Sequence, residues 1–130
     1  MATPIHQEVT LPASPARIYA AYMDSAEHAA FTEGGPAEIS PQAGGAFSCH
    51  AGGIQGRTIQ LEPDRLIVQA WRVANWPEGV YSIVRIALEP DGAGTKLTLD
   101  HDAFPAEAGE HLAGGWHARY WEPLAKYLAS

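Results

Sequence analysis

The side chains of this 130-residue sequence that could do chemistry are six histidines, one cysteine and two neighbouring aspartates. The histidines are His6, His28, His50, His101, His111 and His117. None form an HExxH pattern or an i, i+4 pair, so spacing gives no support for a zinc site, and no metal is expected. Alternation along the segment Thr95 to Asp102 sets His101 inward beside Leu97 and Leu99. There it could hydrogen-bond a ligand or act as general acid or base, or it could be a buried histidine satisfied by a neighbour. Cys49 also faces inward, between Phe47 and Ala51. Its neighbour His50 should point to the opposite face, which leaves the thiol without a base and reads as packing. Asp100 and Asp102 share the outer face with Lys96 and Thr98, where solvated charge is the expected role. The pairs Gly44-Gly45 and Gly52-Gly53 are turn signals and form neither a GxGxxG nor a P-loop, so no nucleotide cofactor is called for.

The elements that must position these residues follow from hydrophobic period. Ile5 to Leu11 alternates and reads as a strand. Ser14 with Pro15 is an N-cap and N1 pair opening a short helix, Ala16 to Met23. Ser25 can cap a second short helix, Ala26 to Thr32, stopped by Gly34, Gly35 and Pro36. Strands then follow at Ala46 to Ala51, Ile54 to Glu62, Arg65 to Arg72, Val80 to Leu88 and Thr95 to Asp102, with EPDGAG as a hairpin signal. A helix starts near Ala108 and runs almost to the end. Strand, two short helices, five or six antiparallel strands and a long helix make an α+β arrangement.

Size and charge bound what this can be. The length suits one domain with one core, and 46% apolar with 18% charged residues suits a globular protein. A net charge of −7 disfavours a nucleic-acid binder and attraction to anionic lipid. One cysteine allows no internal disulfide, no apolar run reaches a membrane-spanning length, and no secretory signal is read at the N-terminus. A cytoplasmic location is the expectation.

Four strings occur in order: PQAGGAF (Pro41 to Phe47), IQGRTIQLEPDRLIVQAWR (Ile54 to Arg72), GAGTKLTLDHDAFP (Gly92 to Pro105) and GGWHARYWEPLAKYL (Gly114 to Leu128). Together they resemble the activator of heat-shock-protein-90 ATPase homologues, within the START-like or Bet v 1-like (SRPBCC) superfamily. The resemblance covers nearly the whole chain and implies one START-like domain over residues 1–130. It implies a helix grip, in which a curved antiparallel sheet wraps a long C-terminal helix with a cavity between them.

A regular helix turns roughly 100° per residue. From Leu112, the residues Pro123, Trp116, Tyr127, Tyr120, Ala113, Leu124, His117, Leu128 and Trp121 then fall in one apolar arc, with Arg119, Glu122 and Lys126 outside it. Trp116 and Trp121 sit on opposite shoulders and form no aromatic box from this helix alone. Tyr120, His117 and Leu124 occupy the middle, so the tyrosine and histidine tips should meet the cavity. Pro123 should kink the helix by crowding the carbonyl of Arg119.

The expected ligand-binding set is therefore Phe47, Cys49, Trp71, Tyr81, His101, Phe104, Trp116, His117 and Tyr120, with no catalytic residue assigned. The leading expectation is a domain that binds a small apolar or amphipathic ligand in the grip cavity. Two others stay open: a protein-interaction module, homodimeric or chaperone-associated, and a cyclase-, dehydratase- or hydrolase-like enzyme using His101 or His117.

Overall fold

The computed structural model describes residues 3–129. The chain runs β1 (Ile5–Leu11), α1 (Pro15–Met23), α2 (Ser25–Thr32), β2 (Glu38–Ile39), β3 (Ala46–Cys49), β4 (Ile54–Glu62), β5 (Leu66–Val73), β6 (Ser82–Asp91) and β7 (Gly94–Asp102). A 3₁₀ turn at Ala106–Ala108 leads into α3 (Gly109–Gly115), a π-helical segment (Trp116–Trp121) and α4 (Glu122–Ala129). The seven strands form one sheet in the order β1-β7-β6-β5-β4-β3-β2. Every neighbouring pair is antiparallel. This is the α+β helix grip that the sequence implies.

Alternation decides which side of the sheet is the core. In β6, Ser82, Val84, Ile86 and Leu88 are buried while Ile83 and Arg85 face out; in β7, Leu97, Leu99 and His101 are buried. Each such aliphatic side chain contributes about 1.5–3 kcal/mol by leaving water. The C-terminal helix lies over this inner face and buries Leu112, Trp116, Tyr120, Trp121 and Leu124. Gln7 of β1 fastens it from below. Its amide donates to the Ala113 carbonyl at 2.9 Å, and its oxygen accepts from the Trp121 indole at 2.9 Å.

Both short helices carry side-chain caps. The Arg17 amide donates to Ser14 Oγ at 3.2 Å, with Pro15 in the first helical turn, as its spacing predicts. The α2 cap differs from expectation. Asp24 Oδ2 accepts from the Glu27 amide at 2.8 Å, while Ser25, one residue inside the helix, uses its Oγ to accept from the Ile39 amide at 2.9 Å. Asp24 wins because its carboxylate meets the positive helix end, and Ser25 is freed to anchor the short edge strand β2.

Two departures reshape the site. β3 stops at Cys49, and His50 and Ala51 take left-handed backbone angles, φ 54° and 56°. The tight turn into β4 forces this, and it swings the His50 ring inward instead of away. Ala51 is accordingly exposed and does not extend the inner face of β3. The second departure is the π-segment, in which the Glu122 amide donates to the His117 carbonyl five residues back. A widened turn directly ahead of Pro123 relieves the crowding that the proline ring would impose on the Arg119 carbonyl. The irregularity found beside the proline is this π-helical stretch, with α4 continuing through Pro123 to Ala129.

Candidate functional site

The wider π-turn changes what the helix presents. Closing i→i+5 bonds lowers the angular step per residue, which brings residues five apart nearer to one another on the helix face than in a regular α-helix. Trp116 and Trp121 therefore stack, with ring centroids 5.4 Å apart and planes at 12°. The opposite-shoulder placement from a constant 100° step is corrected by this register. The same shift turns His117 outward: it is exposed, and it does not meet the cavity as the regular arc predicts.

Between the helix and the mouth of the sheet lies a cleft of about 520 Å³. Its apolar walls come from Ile54, Trp71, Val73, Trp76, Leu112 and Trp116, and its polar groups are His50, Asn75, His111, Arg119 and Tyr120. Of the expected binding set, Trp71, Trp116 and Tyr120 line it. Phe47, Cys49, His101 and Phe104 are packed in the core instead. The inner end of the grip, around Phe47, Cys49 and Gln69, is closed by side chains and leaves no room for a molecule. Tyr81 is 49% exposed, because Ser82 takes the inward position and sends its predecessor to the outer face, where Arg72 stacks on the ring at 5.7 Å. His50, Asn75, His111 and Arg119 are the polar cleft residues that sequence reasoning did not assign.

His101 is held from both sides. The Trp116 indole N–H donates to Nδ1 at 3.0 Å, and Nε2 lies 2.8 Å from Ser82 Oγ. Ser82 gives its own proton to the Trp71 carbonyl at 2.7 Å, so Nε2 must carry the imidazole proton and donate. Burial pushes the His101 pKa down to about 4, against a smaller upward pull from Asp102. The ring is fully enclosed and has no open nitrogen, which removes it as an acid or base for anything in the cleft.

A second buried relay sits at the cleft floor. His28 Nδ1 lies 2.9 Å from the Tyr22 carbonyl and must be the protonated nitrogen. His28 Nε2 then accepts from the Tyr120 hydroxyl at 2.9 Å, and that oxygen accepts from His50 Nε2 at 3.1 Å. His28 is driven down to about 4 by burial, with His50 adding to it. His50 is lowered by burial and then by the charge of Arg119. Its remaining nitrogen, Nδ1, is buried and lacks a hydrogen-bond partner among the described residues. That nitrogen presses against Gly34, where any Cβ would collide with the ring. Nε2 of His50 is thus occupied by the Tyr120 hydroxyl, and Nδ1 lies buried against Gly34. Cys49 is pushed up to about 12 by burial, an inert thiol.

Among the described residues, no cluster of three His, Cys, Asp or Glu side chains is placed to hold a metal. No helix among them is long and apolar enough to cross a membrane.

The chain is similar to known proteins over nearly its full extent. It is 29% identical over 111 residues to the activator of 90 kDa heat shock protein ATPase homolog 1 of Homo sapiens, covering 85% of this chain and 32% of that one. It is 34% identical over 104 residues to the corresponding homolog of Dictyostelium discoideum, covering 79% of this chain and 27% of that one. The chain thus spans about a third of the length of the curated relatives it matches. The crystal structure of an HSP90 activator from Plasmodium falciparum superposes with a TM-score of 0.90 at 23% identity, covering 98% of this chain and 97% of that one. A solution structure of an Aha1 dimer from Colwellia psychrerythraea gives 0.75 at 17% identity, covering 89% of each. The family model described as Activator of Hsp90 ATPase homolog 1-like protein matches residues 12–129, and this chain belongs to that family.

Proposed function

We propose that this domain binds a small apolar or amphipathic molecule in the cleft between the C-terminal helix and the sheet. The observation that carries this reading is the cleft itself: about 520 Å³, walled by three tryptophans and a few aliphatic side chains, with polar groups at its edge. That size falls within the roughly 300–1,000 Å³ of ordinary small-molecule sites. His50 is engaged by the Tyr120 hydroxyl and His101 is enclosed beneath the cleft between Ser82 and Trp116, so neither is offered as an acid or base to a ligand.

Gly115 gives a clean test. It lines the cleft in ordinary helical geometry, and a Cβ there would meet nothing within 4 Å. Gly115→Leu therefore starts into the cleft with no clash at its Cβ, should occupy part of it, and should gain about 1 kcal/mol from helix propensity. The neutral fluorophore N-phenyl-1-naphthylamine should bind the parent protein and not the variant, with melting temperature held or raised. No binding by the parent, or equal binding by both, sinks the reading. Native mass spectrometry of freshly purified protein would reveal a retained molecule and the oligomer mass together.

A second reading, association with a 90 kDa heat shock protein, draws on the names of the relatives and on the outer sheet face. There Ile59, Tyr81 and Ile83 are 52%, 49% and 42% exposed beside Arg57, Arg72 and Arg85, with Asp102 and Asp100 across the register from Ile83 and Arg85, a mixed apolar and charged surface of the kind protein partners cover. On this reading a purified 90 kDa heat shock protein binds the chain, and Ile83→Glu weakens the complex at least tenfold. No complex, or one indifferent to Ile83→Glu, counts against it.

A further inference from the structure

The charges around the cleft are lopsided. The chain carries fifteen acidic residues and eight basic ones, yet among the described residues no acidic side chain lines the cleft. Arg119 is the one permanently ionised group there, since lysine and the other arginines are absent from its walls. No ion pair is found for it among the described residues, whereas Arg17 holds Glu27 and Lys96 holds Glu8 at 3.2 Å. The field of its guanidinium reaches inward. At the cleft floor it adds to the burial that lowers His50, and it is only a small opposing pull on the Tyr120 hydroxyl, which burial holds well above its ordinary value. His111 and Asn75 add polar edges at the same cleft, and neither brings a negative charge.

We propose that the cleft selects a small organic monoanion, a carboxylate head on an apolar body. The inference rests on the ligand-binding reading above and adds the charge of the ligand. The head would take the planar, two-pronged donor set of Arg119, which matches a carboxylate edge to edge. The body would lie on the faces of Trp71, Trp76 and Trp116. A cationic ligand would find no counter-charge and would face Arg119. A neutral one would fill the walls and offer the guanidinium at most an uncharged acceptor, which makes the neutral analogue the discriminating control.

Calorimetric titration at pH 8 with two matched pairs tests this: 2-naphthoate against 2-naphthamide, and decanoate against decanamide. Within each pair the body is constant and only the head charge changes, and the pair that responds tells an aryl acid from a fatty acid. In at least one pair the acid should bind at least tenfold more tightly than its amide. Arg119→Gln should erase that preference, lowering acid affinity far more than amide affinity, and Arg119→Lys should keep part of it. Because Arg119 is exposed, neither change threatens the fold. Amides that bind as tightly as acids in both pairs, or a preference that survives Arg119→Gln, overturn the charge selection and leave the cleft as a binding site. Failure of all four compounds on the parent protein overturns the cleft reading, and this inference with it.

Discussion

Acidification from pH 7 to 4.5 should cost this fold about 5 kcal/mol, well before its carboxylates are fully protonated. The cause is His28 and His101. Both are buried as neutral rings, and burial lowers each from 6.5 to about 4. Between those two values the unfolded chain binds a proton at each site and the folded chain does not. Stability therefore falls as pH drops through the window from about 6.5 to about 4, and the loss levels off below it. Each ring accounts for about half. Two surface contributions differ. His6, raised by hydrogen bonds to Asp100 and then Glu8, stabilises at low pH and loses that contribution as pH rises. Glu27, lowered by its bond to Arg17, adds a loss only below its ordinary value of 4.5. Urea unfolding at half-unit steps should show the steepest decline between pH 6 and 4.5. A flat midpoint across that range would mean that the two rings titrate normally in the folded protein.

Trp116→Ala should be the most damaging single substitution, at about 4 kcal/mol. Trp116 is 3% exposed, stacks on Trp121 and packs against Trp71 and Tyr120. Its removal also strips the only donor from His101 Nδ1 among the described residues. Trp116→Phe separates the two effects. The ring volume is largely kept, so the cost drops to about 1–2 kcal/mol, the penalty of a buried acceptor left unpaired. With no N–H aimed at it, Nδ1 can take a proton more readily, and His101 should titrate at a higher pH in the phenylalanine variant. Urea midpoints give the energies, and the His101 ring resonances give the titration. An unchanged His101 titration in Trp116→Phe would show that the indole hydrogen bond does not hold the ring neutral.

The sheet was legible from the sequence because period two leaves little choice when one face is buried. A slip by one residue in β7 would turn Leu97, Leu99 and His101 out and Lys96, Thr98 and Asp100 in. The C-terminal helix was legible as an element, but its faces were not. A constant 100° step fails where Pro123 removes an amide and the preceding turn widens, and that error accounts for both His117 and the tryptophan pair. His50 was misread for a related reason. Alternation was carried two residues past the end of β3 into a turn, whose signal was the Gly52-Gly53 pair. His28 and Phe31, three apart on α2 and both buried, are a helical face that the sequence displayed. That a histidine on it would meet Tyr120, ninety-two residues away, depends on the packing of α2 against the C-terminal helix, which no local pattern encodes.

The four tryptophans of this chain also form a single optical unit. Trp76 lies 5.9 Å from Trp71, Trp71 lies 5.8 Å from Trp116, and Trp116 lies 5.4 Å from Trp121. Energy transfer between like chromophores at such spacings outruns emission, so a photon absorbed by any one is shared by all. The intrinsic fluorescence of the molecule cannot be divided among its indoles, and a quencher seated beside Trp76 at the cleft darkens even Trp121 at the far end of the row.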